Sequence, residues 1–450
     1  LEKQCEIDRL KEEIKSLRQK LNLNQRKIKQ GFFGSSTPSA KVPVKANSLA
    51  ENQAKKGGGK VGHRGVGRQG FPPAEADEQR TAQVTQESCE TCQCRLQRLS
   101  ANERDIYELE RERARKIHYR IERKICPQCR KTVSAKVANA LPRASLSNAL
   151  IVEIAEQHYL LGRTLGQIAE RFELPDATVT ASLQRVGKLL QPCLAQLQAL
   201  YRAAVVRHAD ETGWRTDGAN GWSWYFGSAE VSLHLFRQTR GPSVVREVLG
   251  VEQLEGVLVV DRYASYHRVP CRIQYCYAHL WREMNDLGRE FESNVEVQQY
   301  TQALKLRLGD AMQLRRRDLS EALYRQEAER IKGEILSLSE YSATHPGVRK
   351  WQDFFVEKAE RLYQWCESAL IPAENNYAER EIRKVVIARK MSFGSQSEEG
   401  AQTREIWTSV LQSLKKREAQ PRDKLVSALN ELSVNENYDL VAVLFGSGQS

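Results

Sequence analysis

The hydrophobic period changes abruptly near residue 201, and this change limits the fold more than any other feature of the chain. Upstream, residues 141–200 keep their apolar positions at helical spacing. From there AAVVRHADETGWR, GWSWYFGS and SLHLFRQT alternate and read as three successive strands. PSVVREVLGVEQL returns to a helical period. GVLVVDRYASYH is a buried strand with a polar end, and RIQYCYAHLWREMNDL is a strand running into a helix. A chain ordered in this way builds a sheet with helices packed on it, so the expected class is multidomain α/β.

The cysteines define a second unit. Of ten, four form two Cys-x-x-Cys pairs, Cys89/Cys92 and Cys126/Cys129. Ile117, Tyr119 and Ile121 alternate with polar residues and lead as a strand into the second pair. Two such knuckles offer four thiolates, which close a tetrahedral site with no open position, so one structural Zn²⁺ is expected in a zinc-ribbon domain over residues 76–140. ETCQC also offers Cys94 as a rival to Cys92. Reduced thiols without a metal are the plain alternative.

The flanking segments are read from charge and spacing. Ile7, Leu10, Ile14, Leu17 and Leu21 follow a three-four alternation, the seam of a short coiled coil over residues 1–30 and a route to self-association. Residues 31–75 are rich in Gly, Ser, Pro and Lys. Between Gln53 and Pro73 there is no acidic residue, while Lys55, Lys56, Lys60, Arg64 and Arg68 are basic. Such a segment reads as a flexible arm that orders on phosphates, or as a solvated linker. The chain as a whole carries a formal charge of +12, which favours a polyanionic partner. In residues 141–200 a helix, a turn at Leu174–Pro175 and a second helix with Asp176 as N-cap have helix-turn-helix spacing. Thr178, Thr180, Ser182, Gln184 and Arg185 would then face a major groove, although a plain helical hairpin has the same pattern. No run approaches the roughly 20 apolar residues that span a bilayer. No secretory signal is recognisable, so a cytoplasmic, nucleoid-associated location is expected. Leu1 is not a methionine, so further residues are expected upstream.

Two aspartates invite chemistry. Asp210 follows VVRHA and Asp261 follows VLVV, each at the polar end of an apolar strand. Carboxylates that share one crevice repel unless a cation lies between them, and an all-oxygen set suits Mg²⁺ or Mn²⁺. Alone, either Asp is an ordinary strand-end turn or helix cap. Strand, strand, strand, helix, strand, helix is the order of a ribonuclease-H-like core. After it, residues 284–370 are a long helical segment. A third carboxylate is then expected from the helix opened by Asn375–Asn376, with Glu379 the best candidate and Glu374 and Glu381 its rivals. An ion pair with Arg383, four residues on, is the structural alternative for Glu379. Cys276 and His279 form an isolated Cys-x-x-His and read as core packing or a DNA contact before a metal site. Trp222 and Trp224 alternate on a strand and read with Trp214 as core.

HADETGW, DRYASYH, CYAHLWRE and ENNYAEREIRKVVIARK resemble the sequence blocks of insertion-sequence transposases of the insertion sequence sixty-six family. The resemblance runs over roughly residues 1–395, in the order coiled coil, basic arm, paired-Cys ribbon, helical domain and core. It departs from the family pattern at Trp281–Arg282, at Arg389–Lys390–Met391–Ser392–Phe393 and in the tail after about residue 415. The resemblance implies an Asp-Asp-Glu triad of Asp210, Asp261 and Glu379 holding two Mg²⁺ or Mn²⁺ ions. It also implies a ribonuclease-H-like catalytic domain over residues 201–395 with its helical insertion at 284–370; beyond it, TREIWTSVLQSLKKRE and RDKLVSALNEL themselves read as C-terminal helices within residues 396–450. The activity implied is metal-dependent cleavage and joining of DNA at the ends of a bacterial insertion sequence. Lys384, Arg389 and Lys390, just past the glutamate, are expected phosphate contacts. A homodimer or larger oligomer on DNA and helper proteins from the same element are further expectations. The alternative is a catalytically silent DNA-binding regulator built on the zinc ribbon and helix-turn-helix.

Overall fold

The computed structural model describes residues 70–446. The expected coiled coil, most of the basic arm, and Lys55, Lys56, Lys60, Arg64 and Arg68 lie outside them. The described chain is mixed α/β, with two sheets.

The first sheet is small. β1 (Glu78–Ala82) runs parallel to β3 (Arg113–Ile125), which pairs antiparallel with β2 (Gln97–Glu110) and with β4 (Thr132–Ser134). Ile117, Tyr119 and Ile121 of β3 share one face by the two-residue period and bury against Ile106, Val137 and Ala140. The cysteine knuckles stand at the other end of the β2–β3 hairpin, with Leu96 buried among them.

Four helices follow: α1 (Asn148–Ala155), α2 (Leu165–Phe172), α3 (Asp176–Leu190) and α4 (Pro192–Ala203). Thr164 caps α2 with a capping box to Gln167, and Glu173 ends it in the left-handed region at φ 52°. Pro175 is the N-cap of α3 and Asp176 its first residue, one position from expectation. Proline's fixed φ and missing N–H suit the start of a helix, and Asp176 meets the helix dipole from inside the first turn.

The second sheet has the order β7-β6-β5-β8-β9. β5 (Val206–Thr216), β6 (Ala219–Gly227) and β7 (Ser232–Arg237) form an antiparallel meander. α5 (Pro242–Leu249) then crosses over, and β8 (Val257–Val260) and β9 (Arg272–Tyr275) run parallel to β5. Every residue of β8 is buried, as its VLVV sequence requires of a strand covered on both faces. A helical segment follows: α6 (Tyr277–Glu290), α7 (Val295–Leu314), α8 (Glu321–Ser337), α9 (Pro346–Glu357) and α10 (Ala359–Leu362). The chain ends its described part with α11 (Asn376–Ser392), α12 (Glu398–Arg417), α13 (Pro421–Val434) and α14 (Leu440–Phe445). No described helix is long and apolar enough to cross a membrane.

Side chains bridge both edges of this sheet to neighbouring segments, and at β7 they close an N–H row that would otherwise invite strand pairing. At β9, Gln274 donates to Leu362 O at 3.0 Å and accepts from Trp365 N at 3.1 Å. At β7, the outward N–H groups of Ser232, His234 and Phe236 meet Ser413 Oγ, Ser409 Oγ and Glu405 Oε2 of α12 at 2.9, 2.9 and 3.1 Å. Four residues of helix rise about 6 Å and two residues of strand about 6.6 Å, so the two rows stay in step. One continuous buried cluster runs from Leu141 to Phe445. It joins α1–α4, the large sheet, the helical insertion and the C-terminal helices.

Candidate active site

Asp210 and Asp261 come from neighbouring parallel strands. The register pairs His208 of β5 with Val259 of β8, so two residues further on Asp210 and Asp261 stand level. β5 does not end at Asp210 as its sequence suggested. It continues to Thr216, because the antiparallel hairpin with β6 outlasts the parallel pairing with β8. Asp210 thus lies within a strand but just past the end of its parallel pairing, where β8 has given way to a loop. Asp210 Oδ1 accepts from Glu211 N and Asp261 Oδ1 from Tyr263 N, both at 2.9 Å. Neither makes an ion pair with a basic side chain among the described residues.

Glu379 arrives on the first turn of α11. Its carboxylate accepts from Arg282 Nη2 at 2.8 Å, with His279 Nε2 at 3.9 Å. The pair with Arg383 does not form. Asn375 sets the entry of α11. Its Nδ2 donates to Ala209 O at 2.8 Å, its Oδ1 lies 2.9 Å from His208 Nδ1, and its backbone N donates to Cys276 Sγ at 3.0 Å. Since Nδ2 can only donate, Oδ1 faces the imidazole, and His208 must carry its proton on Nδ1. One buried amide therefore ties the helix of Glu379 to the strand of Asp210 and to the β9–α6 junction.

Burial pushes the Asp210 carboxyl well above its usual range, and the charges of Glu211, Asp261 and Glu379 push it further. A cluster of this kind favours either a bound proton or a bound cation. All its donors are oxygens, which fits a hard divalent ion.

Glu211 went unnoticed in the sequence. It points away from Asp210, is 9% exposed, and accepts from Arg240 Nη2 at 2.6 Å and from Tyr266 OH at 2.5 Å. Arg240 lies 3.8 Å from the ring centroid of Tyr263 and 4.6 Å from that of Trp222, and its carbonyl accepts from Ser265 Oγ at 2.8 Å. This network braces the loop that carries Asp261. The acid after Asp210 and the aromatic residues of DRYASY were the available signal.

The family model of the IS66 transposases matches residues 143–403. The chain belongs to the IS66 transposase family. No curated protein matches it. The match begins just before α1 and ends within α12. The helical region, the large sheet and the helical insertion of this IS66-family transposase all fall inside it, and the cysteine module lies outside.

The remaining candidates of the transposase are scattered. Cys89, Cys92, Cys126 and Cys129 bring their Sγ atoms within 4.8 Å of one another, a set that fits Zn²⁺. Backbone N–H groups of Cys92 and Thr91 hold the Cys89 thiol down to about 6, and that of Cys129 lowers Cys126. Cys94 turns outward to Gln128 Oε1 at 2.5 Å and is not part of this set, whereas Cys92 is. Lys384 is exposed and paired with Glu381 at 2.8 Å, and Lys390 is exposed. Arg389 is a correction: it is 5% exposed and donates to Thr212 Oγ1 at 3.0 Å, so it fastens α11 to β5 instead of facing solvent. Ser182 is buried, Arg185 donates to Pro142 O, and Gln184 is half-buried. Glu374 is buried away from the pair of aspartates, with Oε2 unbonded. Cys276 spends its sulfur on Asn375 N, and no Cys-x-x-His metal group forms among the described residues. Trp214 and Trp224 are fully buried.

Proposed function

We propose that this IS66-family chain binds the ends of an insertion sequence and cuts and joins DNA strands, with Asp210, Asp261 and Glu379 as ligands for two Mg²⁺ or Mn²⁺ ions. The observation that carries this reading is the electrostatic state of Asp210. The half-buried Asp210 carboxylate, ringed by Glu211, Asp261 and Glu379, pairs with no basic side chain among the described residues. Glu211 is neutralised by Arg240 and Glu379 by Arg282, whereas both aspartates receive only backbone N–H groups. The unsatisfied charge therefore sits on the two residues that adjacent strands present together.

The sheet supports a ribonuclease-H-like core. Its order is the third, second, first, fourth and fifth strand, with the second antiparallel, and a helical segment intervenes before the helix of Glu379. When bound, the ions supply an activated oxygen nucleophile and charge stabilisation at the scissile phosphate. Asp210 and Asp261 hold fixed positions because each is tied to a backbone N–H. Asn375 sets the position of Glu379. No side chain acts as the nucleophile, since positioning and charge stabilisation carry phosphoryl transfer. Arg282, half exposed beside Glu379, and the exposed Lys384 and Lys390 supply positive charge for the DNA backbone. One Zn²⁺ on Cys89, Cys92, Cys126 and Cys129 stabilises the N-terminal sheet. Assembly as a dimer or larger oligomer on DNA, helper proteins and the bacterial cytoplasm as its location belong to the same proposal.

The test is strand transfer with pre-nicked element ends carrying a free 3′-OH, in Mg²⁺ or Mn²⁺, comparing wild type with Asp261→Asn. Joined product from the wild type alone, with DNA binding retained by both, is expected. Tight binding without product from either protein would favour the silent DNA-binding regulator.

A further inference from the structure

Among the described residues, Arg404 is a cation without a counter-charge. It lies on α12 and is 6% exposed. Its guanidinium packs 5.1 Å from the ring centroid of Tyr159 and 5.3 Å from that of Trp214. Among the described residues its one hydrogen bond is from Nη2 to His158 Nε2, at 2.8 Å. His158 gives no negative charge: its Nδ1 donates to Arg163 O at 2.7 Å, and burial together with Arg404 keeps the ring neutral. The nearby carboxylates are engaged elsewhere, Glu405 by Arg237 and Glu399 by Lys188, each at 2.8 Å. Burial and the Tyr159 hydroxyl are the influences that act on the charge of Arg404, and no carboxylate is among them. Arginine cannot escape by losing its proton, and a buried charge without a partner is costly.

The cost has a site attached to it. Arg404 lines a cavity of about 400 Å³ between α2, α3 and the α11–α12 connection. One wall carries Thr164, Thr180 and Gln184, and the other Ser395 and Ser397. Thr180 and Gln184 are one turn apart on α3 and were expected to face a DNA groove; they line this cavity instead. Ser397 is the N-cap of α12, so the N-terminal N–H groups of a 20-residue helix also open here, with Glu398 and Glu399 in the same first turn. Hydroxyls, an amide, a helix N-terminus and an uncompensated guanidinium make a wall of donors for an anion. Arginine's planar fork matches the oxygens of a phosphate. The volume lies in the range of small-molecule sites, roughly 300–1,000 Å³. Ser395 bridges to Thr216, six residues along β5 from Asp210, or about 20 Å at the rise of a strand. The cavity is therefore separate from the carboxylate cluster.

We propose that this cavity binds one nucleotide through its phosphate, with Arg404 as the charge that recognises it. The nucleotide is either free or part of a DNA strand, and the phosphate chemistry is the same. The site stands apart from the carboxylate cluster, so ligand binding here is measurable without strand transfer.

The test is thermal melting of the full chain with inorganic phosphate, deoxyadenosine monophosphate or a short single-stranded oligonucleotide. Wild type is compared with Arg404→Met and with Thr180→Val. The wild type is expected to melt several degrees higher with nucleotide. Arg404→Met should lose this shift, and Thr180→Val should keep only part of it. Without ligand, Arg404→Met should melt no lower than wild type, because the substitution removes an uncompensated buried charge. A shift with the mononucleotide assigns the site to free nucleotide; an Arg404-dependent shift with the oligonucleotide alone assigns it to a DNA strand. No shift of the wild type with any probe, an unchanged shift in Arg404→Met, or a response to inorganic phosphate that no nucleotide reproduces overturns the proposal. If Arg404→Met does not fold, calorimetric titration of wild type and Thr180→Val decides: absence of binding, or equal binding by both, overturns it.

Discussion

Replacing Asn375 by Ala removes one side chain that no substrate needs to touch, yet it should disable the enzyme. The amide is 2% exposed and serves the Nδ1–H of His208, which is 7% exposed, and the carbonyl of Ala209, which lies on a residue 1% exposed. Neither group has water to replace it. A buried donor or acceptor left without a partner costs about 1–3 kcal/mol, so the two together cost about 2–6 kcal/mol, and about 3 kcal/mol is expected after partial collapse of the site. The helix start would keep its bond from Asn375 N to Cys276 Sγ, so α11 should remain folded while its first turn shifts. Glu379 lies one turn further on, with its N–H bonded to Asn375 O at 3.2 Å. A displacement of about 1 Å there is enough for a loss of about 100-fold in strand transfer. The assays are thermal melting, gel-shift binding of element ends, and strand transfer titrated with Mn²⁺. The expected pattern is a lower melting temperature, unchanged DNA binding, and a higher Mn²⁺ requirement. Wild-type melting and wild-type Mn²⁺ dependence in Asn375→Ala would refute the reasoning.

Two other outcomes follow from buried groups. Purified protein should contain about one zinc ion per chain, and Cys126→Ser should lose it and become protease-sensitive within residues 78–134 while the remainder resists; metal analysis showing no zinc in the wild type would exclude the site. Burial holds His234 neutral and pulls it down to about 4, against about 6.5 when unfolded. Its depressed value means that its contribution is full above pH 6.5 and is lost as the pH falls through 4. Raised carboxyls such as Asp210 work in the opposite sense, so the measurement is the difference between wild type and His234→Asn. The variant should lose less stability than wild type between pH 7 and pH 5, and parallel pH profiles would contradict this.

What the sequence disclosed, and what it withheld, divides along a physical line. Alternation in SLHLFRQT and the solid apolar run VLVV both mark strands, and the sheet contains them where the period changes, but the alternation understates burial: every residue of β7 except Arg237 is buried, as in β8. The two Cys-x-x-Cys pairs were legible because a tight knuckle is a local event. Arg389 was misread among its basic neighbours, although Ile382 and Val385 lie seven and four residues before it and mark the inward face of the helix. The bonds of Asn375 and the setting of Glu211 were out of reach. Their partners lie up to 167 positions away, and a polar residue that will be buried against another looks, in a linear chain, like any surface residue. The ladder from α12 to β7 was hidden for the same reason: Ser409 and Ser413 read as the polar side of a helix, and the helix has almost no solvent side.

That ladder makes completeness of the chain a condition of its catalytic sheet. During synthesis β7 emerges well over a hundred residues before Glu405, Ser409 and Ser413, and until they arrive three backbone N–H groups stand open along its edge. A product interrupted between Glu379 and Glu405 would hold every carboxylate of the cluster and still expose a strand ready to pair with its own copies. Ribosomal stalling, a frameshift or a late nonsense codon would therefore yield an aggregating protein, not a partly active one. A gene damaged near its end would fall silent without leaving a partly folded transposase in solution.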